Sequence, residues 1–112
     1  GVFVGTQPQA GMSAVIVDDV ITSGISIKRS VTLLRAAAVE VEGVVVAVDR
    51  QERGQNIRKT TLEELQDQLG VPVLSILNVS EIIVSLNRDG RISSELKDSV
   101  ESYLDEFGPC RQ

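Results

Sequence analysis

Along the chain, short apolar runs alternate with longer stretches in which apolar residues return every three or four positions. The runs are Val15-Ile16-Val17, Gly43-Val44-Val45-Val46-Ala47-Val48 and Val73-Leu74-Ser75-Ile76-Leu77. Runs rich in β-branched residues and bounded by polar ones predict strands, and an unbroken run suits a strand covered on both faces. A further short strand is expected at Gly1-Val2-Phe3-Val4-Gly5, ahead of a turn at residues 7–11. Between the runs, Ile27, Val31, Leu34 and Ala38 stand at i, i+4, i+7 and i+11, which is one face of a helix, with Lys28, Arg29 and Arg35 off it. Leu62, Leu65 and Leu69 mark a second helix, Ile82, Ile83 and Leu86 a third, and Leu96, Val100, Tyr103, Leu104 and Phe107 a fourth.

The helix ends carry their own signals. Thr60 and Thr61, each three residues before a glutamate (Glu63, Glu64), offer two overlapping capping-box registers. Gly70 and then Pro72 stop that helix. Ser80 is the expected cap of the third helix, Asn87-Arg88-Asp89-Gly90 its break, and Ser93 or Ser94 the start of the last, which Gly108-Pro109 ends. Strands alternating with helices predict an α/β fold with a mostly parallel sheet and flanking helices. The linkers are short, so residues 1–112 read as a single domain.

Composition narrows the function classes. With 11 Lys and Arg against 16 Asp and Glu, the net charge is −5, a poor match for nucleic acid or an anionic membrane surface. No apolar run approaches the roughly 20 residues of a membrane span, and no signal-peptide pattern opens the chain; a cytoplasmic location is expected. The single cysteine, Cys110, cannot form an internal disulfide. There is no histidine, so a metal here would be a hard, oxygen-bound one.

The chemistry concentrates at two strand tips. Val15-Ile16-Val17 leads into Asp18-Asp19, where the strand is expected to leave the sheet, and then into Thr22-Ser23-Gly24-Ile25-Ser26. Ligands of open α/β sheets bind at that edge. An isolated Asp-Asp pair reads first as solvated turn carboxylates, and a Thr-Ser-Gly turn alone as an ordinary helix cap. Together they place acceptors for sugar hydroxyls beside donors for a phosphate. Ser26 or a neighbour is the expected cap of a helix whose free N–H groups attract an anion. Gly24 lets the backbone approach a ligand closely or adopt a positive φ. No Gly-Lys-Ser/Thr is present, so this is not a Walker loop. The second strand ends at Asp49-Arg50; if the two strands are neighbours, the Arg50 guanidinium lies near the same crevice and can bind a carboxylate by two parallel hydrogen bonds.

The segment Val15–Ile27 resembles the phosphoribosyl pyrophosphate (PRPP) motif of type I phosphoribosyltransferases. Ala47-Val48-Asp49-Arg50-Gln51-Glu52-Arg53-Gly54 is similar to a segment characteristic of the orotate branch of that family, and Val73-Leu74-Ser75-Ile76 fits the same branch. The resemblance implies the C-terminal part of a Rossmann-like core. It implies that Asp18 and Asp19 are catalytic, contacting the ribose hydroxyls of PRPP and favouring the positive charge that develops on the sugar. It implies that Asp18, Asp19, Val20, Ile21, Thr22, Ser23, Gly24, Ile25 and Ser26 bind PRPP, and that Thr22 and Arg50 face orotate. Mg2+ would be held mainly through PRPP and pyrophosphate, with no direct metal ligand from this chain. The products would be orotidine 5′-monophosphate and pyrophosphate, and the assembly a homodimer or a pairing with an N-terminal half.

Two departures from the family pattern set further expectations. Ile25 stands where many relatives carry a hydroxyl, which removes one phosphate hydrogen bond while leaving the backbone amide. The chain matches only the C-terminal half of such an enzyme, without the hood, the pyrophosphate loop and the mobile catalytic loop, so these residues alone are expected to be inactive or very weak. Two other readings compete. A non-enzymatic PRPP- or nucleotide-sensing domain would have no need of an orotate contact. A receiver-type phosphoacceptor would require a Lys at a later strand end, where Asn78 stands.

Overall fold

The structure, a computed structural model, describes residues 3–110. Three strands, β1 (Ser13–Val20), β2 (Glu40–Asp49) and β3 (Val73–Asn78), form one sheet in the order β1-β2-β3, with both pairs parallel. Helix α1 (Ile25–Ala36) joins β1 to β2, and α2 (Thr61–Leu69) joins β2 to β3. Helices α3 (Val79–Arg88) and α4 (Ser94–Phe107) follow and pack on each other. The α/β architecture expected from the alternating pattern is therefore the one observed.

Register places the core. Ile16 lies beside Val44, and Val44 beside Val73, so these three share one face of the sheet. Ile27 and Val31 of α1 and Leu65 of α2 close over that face, with Val46 fully buried between them. The other face differs. Val15 and Val17 on β1 and Leu74 and Ile76 on β3 are all more than half exposed, Val17 at 76%. The expectation that the first strand is covered on both faces is corrected here: α1 and α2 lie on the same side, so an unbroken apolar run packs on one face only.

Several local expectations also change. Gly1 and Val2 lie outside the described residues; Phe3, Val4 and Gly5 form no strand, and Val4 is fully exposed. Ala38 is not on the helical face, because α1 ends at Ala36 and Ala38 turns the chain back at φ 59°. The third helix is capped by Asn78, not Ser80: the Asn78 side chain accepts from Glu81 N–H at 2.8 Å. Of the two capping-box registers, Thr60–Glu63 forms, with Glu63 N–H donating to Thr60 Oγ1 at 3.1 Å. Ser93 caps α4, and Gly70 ends α2 at φ 71°.

Candidate active site

Both acids lie on β1 itself, which runs to Val20 rather than ending before them. Strand alternation therefore sends their side chains to opposite faces. Asp18, level with the buried Val46, is half-buried on the helix-covered face, and Asp19 is exposed on the other. The carboxylates also hold the backbone at the strand tip. Asp18 Oδ1 accepts from Asp19 N–H at 2.8 Å, and Asp19 Oδ1 from Val20 N–H at 2.6 Å. The Val20 N–H, and next the link to Asp18, hold the Asp19 carboxyl below its ordinary value of 3.8. A carboxyl with a depressed folded-state value stabilises the fold above the unfolded-state value, and that contribution is lost as pH falls through the folded one. Asp19 is thus a carboxylate throughout the neutral range. A carbon-13 titration of its carboxyl should give a midpoint below 3.8; a midpoint above it would mean that the Val20 bond is not made.

Beyond Val20 the chain turns sharply into α1. Ile21 is buried in the core, so only its backbone faces the turn, while Thr22 and Ser23 are exposed. Gly24 is the N-cap residue, at φ 78° in the left-handed region, and α1 has no side-chain cap. Of Ser26 and its neighbours, it is thus Gly24 that takes the cap position; Ser26 and Ile25 lie within the first turn of α1, both exposed. Ser23 Oγ accepts only a long contact from Ile25 N–H, at 3.4 Å. The other three helices each have a capping side chain and an acidic residue in the first turn; α1 has neither. Its N-terminal N–H groups and positive dipole end are left available to an anion. Leu65 braces the turn from below, since a Cβ on Gly24 would stand 3.3 Å from Leu65 Cδ1.

Parallel pairing brings the tip of β2 to the same edge, with Val48 level with Val20. Asp49 Oδ1 accepts from Gln51 N–H at 2.8 Å, and Gln51 is held at φ 59°. A non-glycine residue in that region is strained, and such strain clusters at functional sites. The Gln51 side chain in turn accepts from Ser80 N–H at the start of α3, at 2.8 Å. Arg50 pairs with Glu52 through one nitrogen, at 2.8 Å. Arg53 bridges antiparallel to Thr60. The Glu64 carboxylate accepts from the N–H groups of both Gln55 and Asn56. The polar loop that follows β2 is thus a folded wall.

That wall and the Thr22–Ser23 turn flank an open cleft of about 250 Å3, lined by Thr22, Ser23, Arg53, Gly54, Thr61 and Glu64. A second, of about 180 Å3, adjoins it beneath Ser23, Ile25 and Lys28. Arg53 is the cation on the wall of the first cleft; Arg50, just beyond the end of β2, does not line it and is partnered by Glu52. Lys28, Arg53 and Glu64 escaped sequence reasoning. Lys28 reads as a solvated helix position, Arg53 as loop, and Glu64 as an alternative capping residue; what brings them to the turn is tertiary contact. Among the described residues, no three Asp, Glu or Cys side chains converge as a metal site, and no helix is long and apolar enough to cross a membrane.

Comparison with known proteins adds the following. The phosphoribosyl transferase domain family matches residues 5–77. The chain is 36% identical over 115 residues to orotate phosphoribosyltransferase of Bifidobacterium adolescentis, with 96% of this chain and 50% of the relative covered. It is 40% identical over 108 residues to the protein of that name from Methylococcus capsulatus, covering 96% of this chain and 48% of the relative. The chain thus spans about half the length of the curated relatives it matches. The crystal structure of orotate phosphoribosyltransferase from Francisella tularensis superposes with a TM-score of 0.71 at 23% identity, over 86% of this chain and 46% of the other, which supports the fold.

Proposed function

This chain belongs to the phosphoribosyl transferase domain family, and we propose that it forms the substrate-gripping core of an orotate phosphoribosyltransferase. The reaction is transfer of the phosphoribosyl group from PRPP to orotate, giving orotidine 5′-monophosphate and pyrophosphate in pyrimidine (UMP) synthesis. The observation that carries this reading is the pairing, at one sheet edge, of a carboxylate pair with a helix N-terminus that no side chain caps.

In this reading the backbone N–H groups of Gly24, Ile25 and Ser26 and the hydroxyls of Thr22, Ser23 and Ser26 hold the 5′-phosphate. Asp18 and Asp19 accept from the ribose hydroxyls, and their negative charge favours the cationic sugar ring as the bond from C1 to pyrophosphate lengthens. A new bond from C1 to a ring nitrogen of orotate then replaces it, and the proton that this nitrogen gives up passes to the departing pyrophosphate or to solvent. Thr22 lies on the base side, and Arg50 meets the orotate carboxylate with the edge of its guanidinium that Glu52 leaves free. Mg2+ would be held mainly through the phosphate oxygens of PRPP, where it would offset the charge of the departing pyrophosphate, and the acids here are oxygen donors of the kind it prefers. A homodimer in the cytoplasm completes the proposal.

Calorimetry on the 112-residue chain tests it directly. Ribose 5-phosphate and Mg2+–PRPP should each bind at one site, and orotate should bind in the presence of PRPP. A chain that binds neither phosphorylated sugar would overturn the reading.

A further inference from the structure

The family match ends at residue 77, yet the wall of the site is held from α4, well beyond it. Phe107 C=O accepts from Arg53 N–H at 2.9 Å. Cys110 N–H donates to Ile57 C=O at 2.6 Å. A Cβ on Gly108 would stand 3.4 Å from Gln51 O and overlap Leu104 O, so the helix end and the loop meet backbone to backbone. Within this junction, Tyr103 Oη donates to Glu52 Oε1 at 2.9 Å, and the same oxygen accepts from Arg50 at 2.8 Å.

We propose that Glu52 and Tyr103 are positioning residues that aim the Arg50 guanidinium at the carboxylate of the base. The proposal rests on the reading of Arg50 as the base-carboxylate contact. Its physical content is the sharing of one oxygen. Arg50 is nearly half exposed and on its own would sample many rotamers. Glu52 holds one nitrogen of the fork, which narrows the range of positions open to the guanidinium and leaves its other edge to meet a second carboxylate side-on. Glu52 would itself swing freely without a third partner. Tyr103 supplies it from a rigid element, with its ring packed on Phe107 at a centroid distance of 4.6 Å. Gln51, at φ 59°, turns the chain between Arg50 and Glu52, and their 2.8 Å contact places the two side chains on the same side of that turn. The Tyr103 phenol is accordingly raised above its ordinary value of 10.0, chiefly by its hydrogen bond to Glu52.

Two measurements test this, and they fail separately. The chain has one tyrosine and no tryptophan, so absorbance at the phenolate band titrates Tyr103 alone. Its midpoint should lie above 10.0 in the native chain and fall towards it in Glu52→Gln; an unchanged midpoint would mean that the contact is not made in solution. Calorimetry then separates aim from fold. In Tyr103→Phe and Glu52→Gln, orotate affinity measured with PRPP present should fall about tenfold, the scale of a charge-assisted hydrogen bond, while affinity for ribose 5-phosphate stays unchanged. Equal losses for both ligands would make the contact merely structural, and a gain in orotate affinity would make Glu52 a competitor of the ligand; either overturns the proposal. Arg50→Gln is the control. If it leaves orotate binding intact, the base-side reading of Arg50 fails and the positioning proposal with it; if it weakens orotate while Tyr103→Phe and Glu52→Gln do not, only the positioning proposal fails.

Discussion

Leu65→Ala is expected to cost about 2–5 kcal/mol of folding stability, the range for removing a large aliphatic side chain from a packed core. Leu65 is 1% exposed and belongs to the cluster that joins α1, α2 and the sheet. It also touches the underside of Gly24, so the cavity it leaves opens directly beneath the turn into α1. The substitution should therefore weaken binding of ribose 5-phosphate even at temperatures where the variant remains folded. Urea unfolding followed by circular dichroism measures the first effect, and calorimetry the second. Ile76→Thr is the contrast. Ile76 is 70% exposed on the other face of the sheet, and its replacement should change stability by no more than about 0.5 kcal/mol. Similar losses for the two variants would mean that the second face is also packed, contrary to the one-sided core described above.

What the sequence reveals and what it hides follow from range. The three strands and four helices were legible because each is set by a local period and a local cap. Thr60–Glu63, Gly70 and Ser93 act within one helical turn. The meeting of the Asp18–Asp19 tip with the Asp49–Arg50 tip was legible too, given only that the strands are parallel neighbours. The errors arise where two local signals compete. Asn78 and Ser80 are both good caps; Asn78 wins because β3 runs straight into α3 and the cap must sit at the junction. Ser26 is a good cap by residue type, but of it and its neighbours Gly24 takes the position, as the one residue there that tolerates a positive φ. The covered and open faces of β1 look identical in sequence, since Val15, Ile16 and Val17 are all apolar and only the position of the helices separates them. Least legible of all was the wall of the site. Glu52 and Tyr103 are 51 residues apart, and no period or spacing links a loop glutamate to a tyrosine on the apolar side of a distant helix.

Asp18→Asn and Asp19→Asn should each lower the affinity for Mg2+–PRPP by about ten- to a hundredfold, and the double variant should abolish binding that calorimetry can detect. The magnitude is that of exchanging an ionised acceptor for a neutral one, roughly 1.5–3 kcal/mol per charged hydrogen bond. The fold should keep its shape, losing only the small stability that the Asp19 charge adds, which is what makes the test decisive. An asparagine Oδ1 can still accept from the N–H groups of Asp19 and Val20 that the carboxylates now hold, so the strand tip keeps its shape and loses only its charge. The two positions should also differ in kind. Asp18 stands on the helix-covered face, level with Val46 and near the turn into α1, whereas Asp19 looks out from the opposite face of β1. A single sugar reached by both must lie across the end of the strand rather than against either face. Losses that simply add in the double variant would mean two independent contacts with one ligand. A loss confined to Asp18→Asn would place the ribose on the helix side alone and leave Asp19 to its other visible task, holding the backbone at Val20.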